Sequence, residues 1–424
     1  MRPIRWAVAL LAVMVALVSA CSSGGSSSSN SSSSSSSSSA TSGGSTPTGT
    51  TGTTAAKAAT GTPYKIGVIC SCSGSNAATI SSMTSIYSAW SSSVNAAGGI
   101  TGHPVQLFTS DDSQNPGTAL ADVTKMVQQD HVIAILDLSN VDSSFGSYVE
   151  SQHVPVIGGN LDSDLFTSNP DFFTAGGTTD AIPLGIVAAA KTAKVDKLGV
   201  FYCQGVPICA ELPPVLKQIG APAGVSVSYS GAIPNAAPNY TASCLAAQQS
   251  GANGLFVASG PPQTLSVVES CTAQGYKPIY IAAESSLANS SLSNSAIDGA
   301  VGEITNLSAS DTGNPAIKAM DQALNTFKPG LVSSAEFNPG SSMVWAAGLL
   351  FQAAASAGHL GDNPTAADMM TGLYALKGET LGGLTAPLTF TKGKPTSLKC
   401  WFYYQVKGGQ FTTPFGSSPA CSSS

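Results

Sequence analysis

Short apolar segments of β type alternate with helical patterns along most of this chain, and this alternation limits the available folds more than any other feature. The first strand, Tyr64–Cys70, leads into an amphipathic pattern that ends at Gly98-Gly99, where glycines supply the left-handed helix stop. Further strands are predicted at 104–109, 132–136 and 155–157. Strands and helices joined by short connections predict a parallel sheet wrapped by right-handed crossovers.

The same alternation then starts again. After 172–177, which has the pattern of a crossing segment, a helix is predicted over 179–193. Four more strands with helices between them follow at 198–202, 225–229, 254–258 and 278–281. Helical stretches near Pro315–Phe327, Ser341–Ala357 and 365–376 and a polar β segment from Pro387 complete the chain. The sequence therefore predicts an α/β protein with two similar units in series.

The first 20 residues have the pattern of a bacterial lipoprotein signal peptide. Arg2 and Arg5 precede an apolar run over 6–18, and small residues lead to Cys21. This order resembles the lipobox, in which the cysteine is lipidated and becomes the mature N-terminus. The alternative is an ordinary cleaved signal with an incidental cysteine. The apolar run is shorter than the roughly 20 residues that a membrane span needs.

Residues 21–61 are predicted to be a lipid-anchored, disordered tether. They consist mostly of Ser, Thr, Gly and Ala, with an unbroken serine run over 31–39, so they cannot bury a core. This arrangement predicts a globular body held by its lipid alone on the extracytoplasmic face of the cell membrane.

The charge balance and the scarcity of reactive motifs exclude several classes of function. Without Arg2 and Arg5 the chain has 15 basic and 23 acidic residues, which argues against nucleic acid as a partner. The four histidines are scattered and no Cys-x-x-Cys occurs, so neither a metal nor another cofactor is expected. No nucleophile elbow or phosphate-binding loop is present, so the chain is predicted not to be an enzyme.

Eight of the nine cysteines remain after Cys21, an even number that favours disulfides outside the cytoplasm. The local candidates are three pairs: Cys203 with Cys209, Cys244 with Cys271, and Cys400 with Cys421. Cys70 and Cys72 are left over, and a Cys-x-Cys bridge would be strained. The sequence leaves the connectivity open.

Glu284 is the most conspicuous candidate ligand residue. It follows the predicted strand 278–281, and ligands of open α/β sheets bind outside the carboxyl ends of the strands. Only 9% of the chain is charged, so a carboxylate at this place stands out. We interpret Glu284 as facing an ammonium group of a ligand. The alternative is a solvated acid on a loop.

Several stretches in a fixed order resemble the branched-chain amino-acid binding proteins, the type I solute-binding components of ABC importers. The matching stretches are Val94 to Ile100, Asp111-Asp112 with Asn115-Pro116, Val154 to Ile157, and Ala283 to Asn294. Their spacing is kept over 62–410. The resemblance implies two lobes, each a mostly parallel sheet flanked by helices, joined by three crossing segments that act as a hinge. Lobe 1 would comprise 62–178 and 305–384, and lobe 2 would comprise 179–304 and 385–424.

The resemblance also implies where the solute binds. Two loops of lobe 1, containing Ser139 with Asn140 and Asn160-Leu161-Asp162, would hold the carboxylate and amine of the ligand. The family's acid in lobe 2 falls on Glu284. The Ser139 hydroxyl and a helix N-terminus suit a carboxylate, whereas Glu284 and Asp162 suit an ammonium group. For Ser139 the alternative is a simple helix cap.

The sequence also departs from the family pattern. Gly260-Pro261-Pro262 stands where the family often has an aromatic residue, and Asp162 stands where it has a hydroxyl. Tyr202 and Gln204 are further lobe 2 candidates, with a core position as the alternative for Tyr202. These differences leave open other amino acids, amides, short peptides, urea-like solutes and aromatic acids.

The resulting prediction is a monomeric solute-binding lipoprotein. It would capture an amino acid or similar polar solute in the cleft between its lobes and deliver it to an ABC permease and ATPase. A sensory receptor of the same fold with a separate membrane signalling partner is the alternative, and a secreted enzyme such as an amidase is a third hypothesis. Binding without turnover would exclude the enzyme.

Overall fold

The computed structural model describes residues 58–73, 77–159, 163–204, 207–234 and 237–422. The predicted signal peptide, Cys21 and most of the predicted tether lie outside these residues. Asn160, Leu161 and Asp162 lie outside them as well, so their predicted contacts with a ligand stay predictions.

Five parallel strands form the first sheet. In chain order they are β1 Tyr64–Cys70, β2 Val105–Asp111, β3 Ala134–Leu138, β4 Val156–Gly158 and β5 Phe172–Thr174. Their spatial order is β2-β1-β3-β4-β5. Because the strands are parallel, the loops after β1, β2 and β3 leave the same edge of the sheet beside one another.

A second, larger sheet contains the strands β6 to β10 in parallel. Their bounds are β6 Lys197–Cys203, β7 Ser226–Ile233, β8 Gly254–Ala258, β9 Ile279–Ala283 and β10 Val301–Ile304. Two further strands, β11 Lys377–Glu379 and β12 Leu388–Thr389, form a separate antiparallel pair. The last three strands, β13 Cys400–Lys407, β14 Gln410–Thr412 and β15 Ala420–Cys421, are antiparallel additions beside β10.

Eleven α-helices in the described part of the chain flank these sheets. They are α1 Ala77–Ala96, α2 Pro116–Lys125, α3 Gly146–Gln152, α4 Leu165–Ser168, α5 Ala181–Thr192, α6 Pro207–Ala223, α7 Thr241–Gln249, α8 Pro261–Ala273, α9 Pro315–Phe327, α10 Ser341–Ala357 and α11 Ala366–Ala375. Helix α10 packs on α1, α11 and β4, whereas α5 packs on α6 and β10. The mixed α/β fold with two parallel sheets is therefore confirmed. Among the described helices, none combines the length and apolarity that crossing a bilayer requires.

Most predicted elements are present, and the differences lie at their ends. The bounds of β1, α9 and α10 coincide with the prediction. The prediction that the third strand ends at Leu136 was wrong, because β3 continues to Leu138, where it pairs with Cys70. Asp137 is therefore a strand residue and not part of the following loop. Pairing with a neighbouring strand carries β3 past the point at which its own apolar run ends.

Three crossing segments lie side by side between the two sheets. The backbone N–H of Gly177 donates to the Thr305 carbonyl at 3.0 Å, and that of Thr178 donates to the Leu398 carbonyl at 2.9 Å. The side chain of Asn306 donates to the carbonyls of Ala175, at 2.8 Å, and Leu384, at 3.2 Å. The predicted lobe boundaries at 178, 304 and 384 fall at these segments, and the assignment of residues to lobes stays a prediction.

Four disulfides join the eight cysteines that follow Cys21 in the chain. They are Cys70–Cys72, Cys203–Cys209, Cys244–Cys271 and Cys400–Cys421. Cys70 and Cys72, which the sequence left unassigned, pair at the end of β1. The Cys244–Cys271 bond connects α7 to α8, and Cys400–Cys421 lies where β13 pairs with β15.

Candidate solute-binding site

Asp112 is the centre of the hydrogen bonds at the carboxyl edge of the first sheet. It follows β2 and is fully buried. Its Oδ1 accepts from the Ser71 hydroxyl at 2.8 Å and from the Gln114 N–H at 2.7 Å, and its Oδ2 accepts from the Ser139 hydroxyl at 2.6 Å. One carboxylate thus joins the loops that follow β1, β2 and β3.

The two serine oxygens extend this network to the loop after β3. Ser71 Oγ accepts from the backbone N–H of Asn140 at 2.9 Å, and Ser139 Oγ accepts from that of Val141 at 3.1 Å. Ser139 is itself buried, with its N–H bound to Asp137 Oδ1 at 2.9 Å. Its hydroxyl hydrogen faces Asp112, so the predicted bond from Ser139 to a ligand carboxylate would require this contact to be given up. Its alternative role as a local cap agrees with the Val141 contact.

The end of β4 meets helices α1 and α10. Gly159 follows β4, and a Cβ added there would stand 3.3 Å from the Val344 Cα and against the Tyr87 hydroxyl. Tyr87 is fully buried, and burial together with the nearby Asp137 carboxylate raises its pKa well above the usual value. The absence of a side chain at Gly159 therefore lets the strand end approach these helices closely, immediately before the predicted ligand residues 160–162.

Glu284 lies just beyond β9, as predicted, and is half-buried. Its Oε1 accepts a hydrogen bond from the Thr305 hydroxyl at 2.7 Å. Thr305 is buried and belongs to one of the crossing segments. The hydrogen bond from Thr305 therefore fixes the Glu284 side chain, which does not extend into bulk water.

The backbone of Glu284 lies beside the start of helix α10. A Cβ added at Gly340 would stand 3.6 Å from the carbonyl carbon and oxygen of Glu284. Nearby, the backbone N–H of Asn289 donates to the Phe337 carbonyl at 3.0 Å. Since α10 packs on β4, Glu284 is placed at the junction between the second sheet and the helices of the first.

Glu303 is a second acid close to Glu284. It lies on β10, paired with Ala283 on β9, and is fully buried under α5. Neither of its carboxyl oxygens has a hydrogen-bond partner among the described residues. Burial, and to a lesser degree the charge of Glu284, raises the pKa of Glu303 well above its usual value. Burial therefore favours the protonated form of Glu303.

The remaining predicted contacts lie at strand ends of the second sheet. Tyr202 is half-buried near the end of β6, and Gln204 is exposed just beyond it, with its N–H bound to the Ile233 carbonyl at 3.0 Å. Gly260 is half-buried at the N-terminus of α8. These positions border the edge at which Glu284 lies, and their contacts with a ligand stay predictions.

Sequence reasoning missed three residues of this region. Asp112 was noticed only as part of a family stretch, and no local pattern predicted the roles of Thr305 or Glu303. Because several acids occur in this region, a metal is another occupant to consider. Within the described ranges, however, no group of three or more His, Cys, Asp and Glu side chains could hold a metal ion.

A family model described as periplasmic binding protein matches residues 63–410. Two sheets of mostly parallel strands flanked by helices are the architecture of that class. The chain belongs to the periplasmic binding protein family, which makes it a solute-binding protein and not an enzyme. Among curated proteins, none matches this sequence.

Solved structures with the same fold have different ligands in their descriptions. A fatty acid ABC transporter substrate-binding protein from Thermomonospora curvata has a TM-score of 0.71 and 18% identity, over 87% of this chain and 95% of that one. A solute-binding protein from R. palustris in complex with benzoate has a TM-score of 0.70 and 14% identity, over 85% of this chain and 98% of that one. A leucine-binding protein from Thermotoga maritima has a TM-score of 0.66 and 13% identity, over 82% of this chain and 97% of that one. At these identities the likeness shows the fold alone.

Proposed function

We propose that this protein captures a small amine-bearing solute of amino-acid size and delivers it to the permease and ATPase of an ABC importer. The observation that carries the proposal is Glu284, a half-buried carboxylate at a strand end, held by Thr305 beside the crossing segments. An ammonium group forms charge-assisted hydrogen bonds with a carboxylate, and these are stronger than bonds between neutral groups. The ABC partners are supported by the family and by the descriptions of the similar structures.

The acidic side chains nearby favour a cationic group over an anionic one. Glu303 is buried next to Glu284, and burial, together with a smaller effect of both acids, raises the pKa of the Tyr404 phenol. A fatty acid or benzoate, as bound by two of the similar proteins, would place its carboxylate against these acids. An ammonium group would instead be attracted to a carboxylate at this place.

Capture would proceed by closure of the two sheets around the solute. The three crossing segments would act as the hinge between the two sheets. A ligand that touches both sheets would stabilise the closed state. We also propose that Cys21 is lipidated and anchors the protein as a monomer on the extracytoplasmic face. Replacing Cys21 by Ser should move the protein from the detergent phase to the aqueous phase in a partition assay.

A ligand screen on the full-length protein tests the solute class. A thermal-shift screen of amines, amino acids, amides and carboxylic acids should identify an amine that stabilises the protein. At a hundredfold excess over Kd, its binding should raise the free energy of unfolding by about 2.7 kcal/mol. Calorimetry should then show that Glu284→Gln weakens that binding by about tenfold or more. Glu269→Gln, an exposed acid on α8, is the matched control and should change nothing. Unchanged affinity in Glu284→Gln would remove the amine assignment.

A further inference from the structure

The Cys70–Cys72 disulfide lies at the end of β1, at the carboxyl edge of the first sheet. Cys70 pairs with Asp111 of β2 on one side and with Leu138 of β3 on the other, so it stands between the two neighbouring strand ends. Ligands of open α/β sheets bind outside this edge. The disulfide is therefore adjacent to the first-sheet side of the candidate solute site.

Ser71, the residue between the two cysteines, connects the loops after β1, β2 and β3. It is fully buried, and its hydroxyl donates to Asp112 at 2.8 Å. Its oxygen accepts from the Asn140 N–H at 2.9 Å, and its own N–H donates to the Leu138 carbonyl at 3.1 Å. The disulfide ring includes the backbone of Ser71 and so limits the positions that this residue can take. Opening the ring would loosen the connection from Ser71 to the loop that contains Ser139 and Asn140.

The small size of the ring makes this bond the most readily reduced of the four disulfides. Its cysteines are 2 residues apart, compared with 6, 21 and 27 residues in the other pairs. The stabilisation that a disulfide gives through chain entropy increases with loop length, so this bond contributes the least. The planar peptide groups on both sides of Ser71 restrict how far the ring can relax. Strained or exposed disulfides are the ones that reductants open most easily.

Both sulfur atoms lie near an oxygen that a thiol could use as a hydrogen-bond acceptor. Cys70 Sγ is 3.4 Å from the Ser110 carbonyl oxygen, and Cys72 Sγ is 3.9 Å from Thr84 Oγ1. A disulfide sulfur has no hydrogen to donate, whereas a cysteine thiol is a weak donor. The fold therefore offers partners to the reduced pair. Cys70 is fully buried and Cys72 is half-buried, so a reductant has access to Cys72.

We propose that Cys70–Cys72 is a thiol–disulfide exchange site, at which reduction by a dithiol loosens the first-sheet side of the solute site. A thiolate of the dithiol attacks Cys72 Sγ and forms a mixed disulfide, while Cys70 leaves as a thiolate and takes up a proton. The second thiol of the dithiol then attacks the dithiol sulfur of the mixed disulfide and releases Cys72, which is protonated. The dithiol becomes a disulfide, and two electrons and two protons pass to the cysteine pair. That this side of the site contacts a solute rests on the proposed function.

Graded reduction of the full-length protein with dithiothreitol tests which bond opens first. Free thiols are trapped with iodoacetamide and located by peptide mass spectrometry. Cys70 and Cys72 should become labelled at a dithiothreitol concentration about tenfold lower than Cys400 and Cys421 need. The second pair is the matched control, because Cys421 is exposed but the pair is 21 residues apart. Opening of Cys400–Cys421 first, or of both bonds together, would overturn the proposal.

Amide hydrogen exchange, measured where only Cys70–Cys72 is open, tests the effect on the site. The Asn140 N–H should exchange about tenfold faster than in the oxidised protein, because its acceptor Ser71 is no longer fixed by the ring. Amides of β8, in the second sheet, should not change. A variant with both Cys70→Ser and Cys72→Ser should exchange fast at Asn140 with and without dithiothreitol. Equal exchange at Asn140 in the oxidised and reduced wild-type protein would overturn the proposal.

The outcome is separable from that of the proposed function. Thiol trapping and hydrogen exchange need no solute, so they decide the role of Cys70–Cys72 even if no amine binds. The Glu284→Gln measurement concerns the second sheet and is made on the oxidised protein, so it decides the amine assignment whatever happens at this disulfide. If the double serine variant does not fold, the comparison of oxidised and reduced wild-type protein is sufficient.

Discussion

The hydroxyl of Thr305 donates to Glu284 Oε1 at 2.7 Å, and this bond connects a crossing segment to the acid at the end of β9. Thr305 also accepts the N–H of Gly177 through its carbonyl, so the same residue contacts a second crossing segment. A change in the relative position of the crossing segments would therefore be transmitted to the orientation of the Glu284 carboxylate.

Replacing Thr305 by Val should weaken amine binding without unfolding the protein. The variant keeps the shape but loses the bond that orients Glu284, so affinity should fall roughly three- to tenfold. Isothermal calorimetry measures the change. Thr385→Val is the matched control, because Thr385 is buried near another crossing segment and its hydroxyl has no partner among the described residues. Equal effects of the two variants would contradict the orienting role of Thr305.

Glu303→Gln should change how stability depends on pH. Burial raises the folded-state pKa of Glu303 well above 4.5, so the folded protein retains a proton that the unfolded chain releases. Between those two pKa values the folded state binds more protons, and stability must fall as pH rises. The melting temperature of Glu303→Gln relative to wild type should therefore increase as the pH rises above about 4.5.

Thermal melts across that pH range decide this point. The glutamine amide is also buried without a partner, but its unfavourable burial does not depend on pH, so the slope is the informative quantity. Glu269→Gln, which is exposed, should run parallel to wild type. A pH-independent difference between Glu303→Gln and wild type would show that folding does not raise the pKa of Glu303.

Removing the disulfide between α7 and α8 should destabilise the protein measurably. Cys244 and Cys271 are 27 residues apart, and opening a loop of that size lowers the free energy of unfolding by about 3 to 4 kcal/mol in the chain-entropy description. Chemical denaturation of the double alanine variant measures the loss. The double alanine variant at Cys70 and Cys72, which are two residues apart, should lose less. A larger loss of stability in the variant at Cys70 and Cys72 would contradict the loop-entropy explanation.

Gly348→Ala should destabilise the protein even though alanine is the better helix former. Gly348 lies within α10, and an added Cβ would stand 2.6 Å from the indole ring of Trp90 on α1. Trp90 is fully buried, so relieving this overlap should require about 1 to 3 kcal/mol, more than the ~1 kcal/mol that helix propensity returns.

Thermal unfolding followed by tryptophan fluorescence measures the effect at Gly348. Gly361→Ala serves as the comparison, since an added Cβ there meets nothing within 4 Å and the melting temperature should be nearly unchanged. A Gly348→Ala protein as stable as wild type would mean that α1 and α10 can separate without loss of packing.

Local patterns were sufficient to predict most elements of the fold. Apolar runs and helical spacing predicted β1, α9 and α10 to their ends, because these signals come from neighbours within one element. The end of β3 was missed because Asp137 and Leu138 take strand geometry from pairing with β1. Strand pairing joins residues distant in sequence, which a local pattern does not contain.

The sequence by itself determined that this chain has two α/β units with an acid, Glu284, just past a strand. Only the tertiary structure decided which residues surround that acid and which hydrogen-bonding groups meet at the edge of the first sheet. The order β2-β1-β3 brings Ser71, Asp112 and Ser139 together, and the folding of the crossing segments places Thr305 on Glu284. The physical reason is that burial and hydrogen bonding depend on contacts between distant segments, whereas helix and strand formation depends largely on adjacent residues.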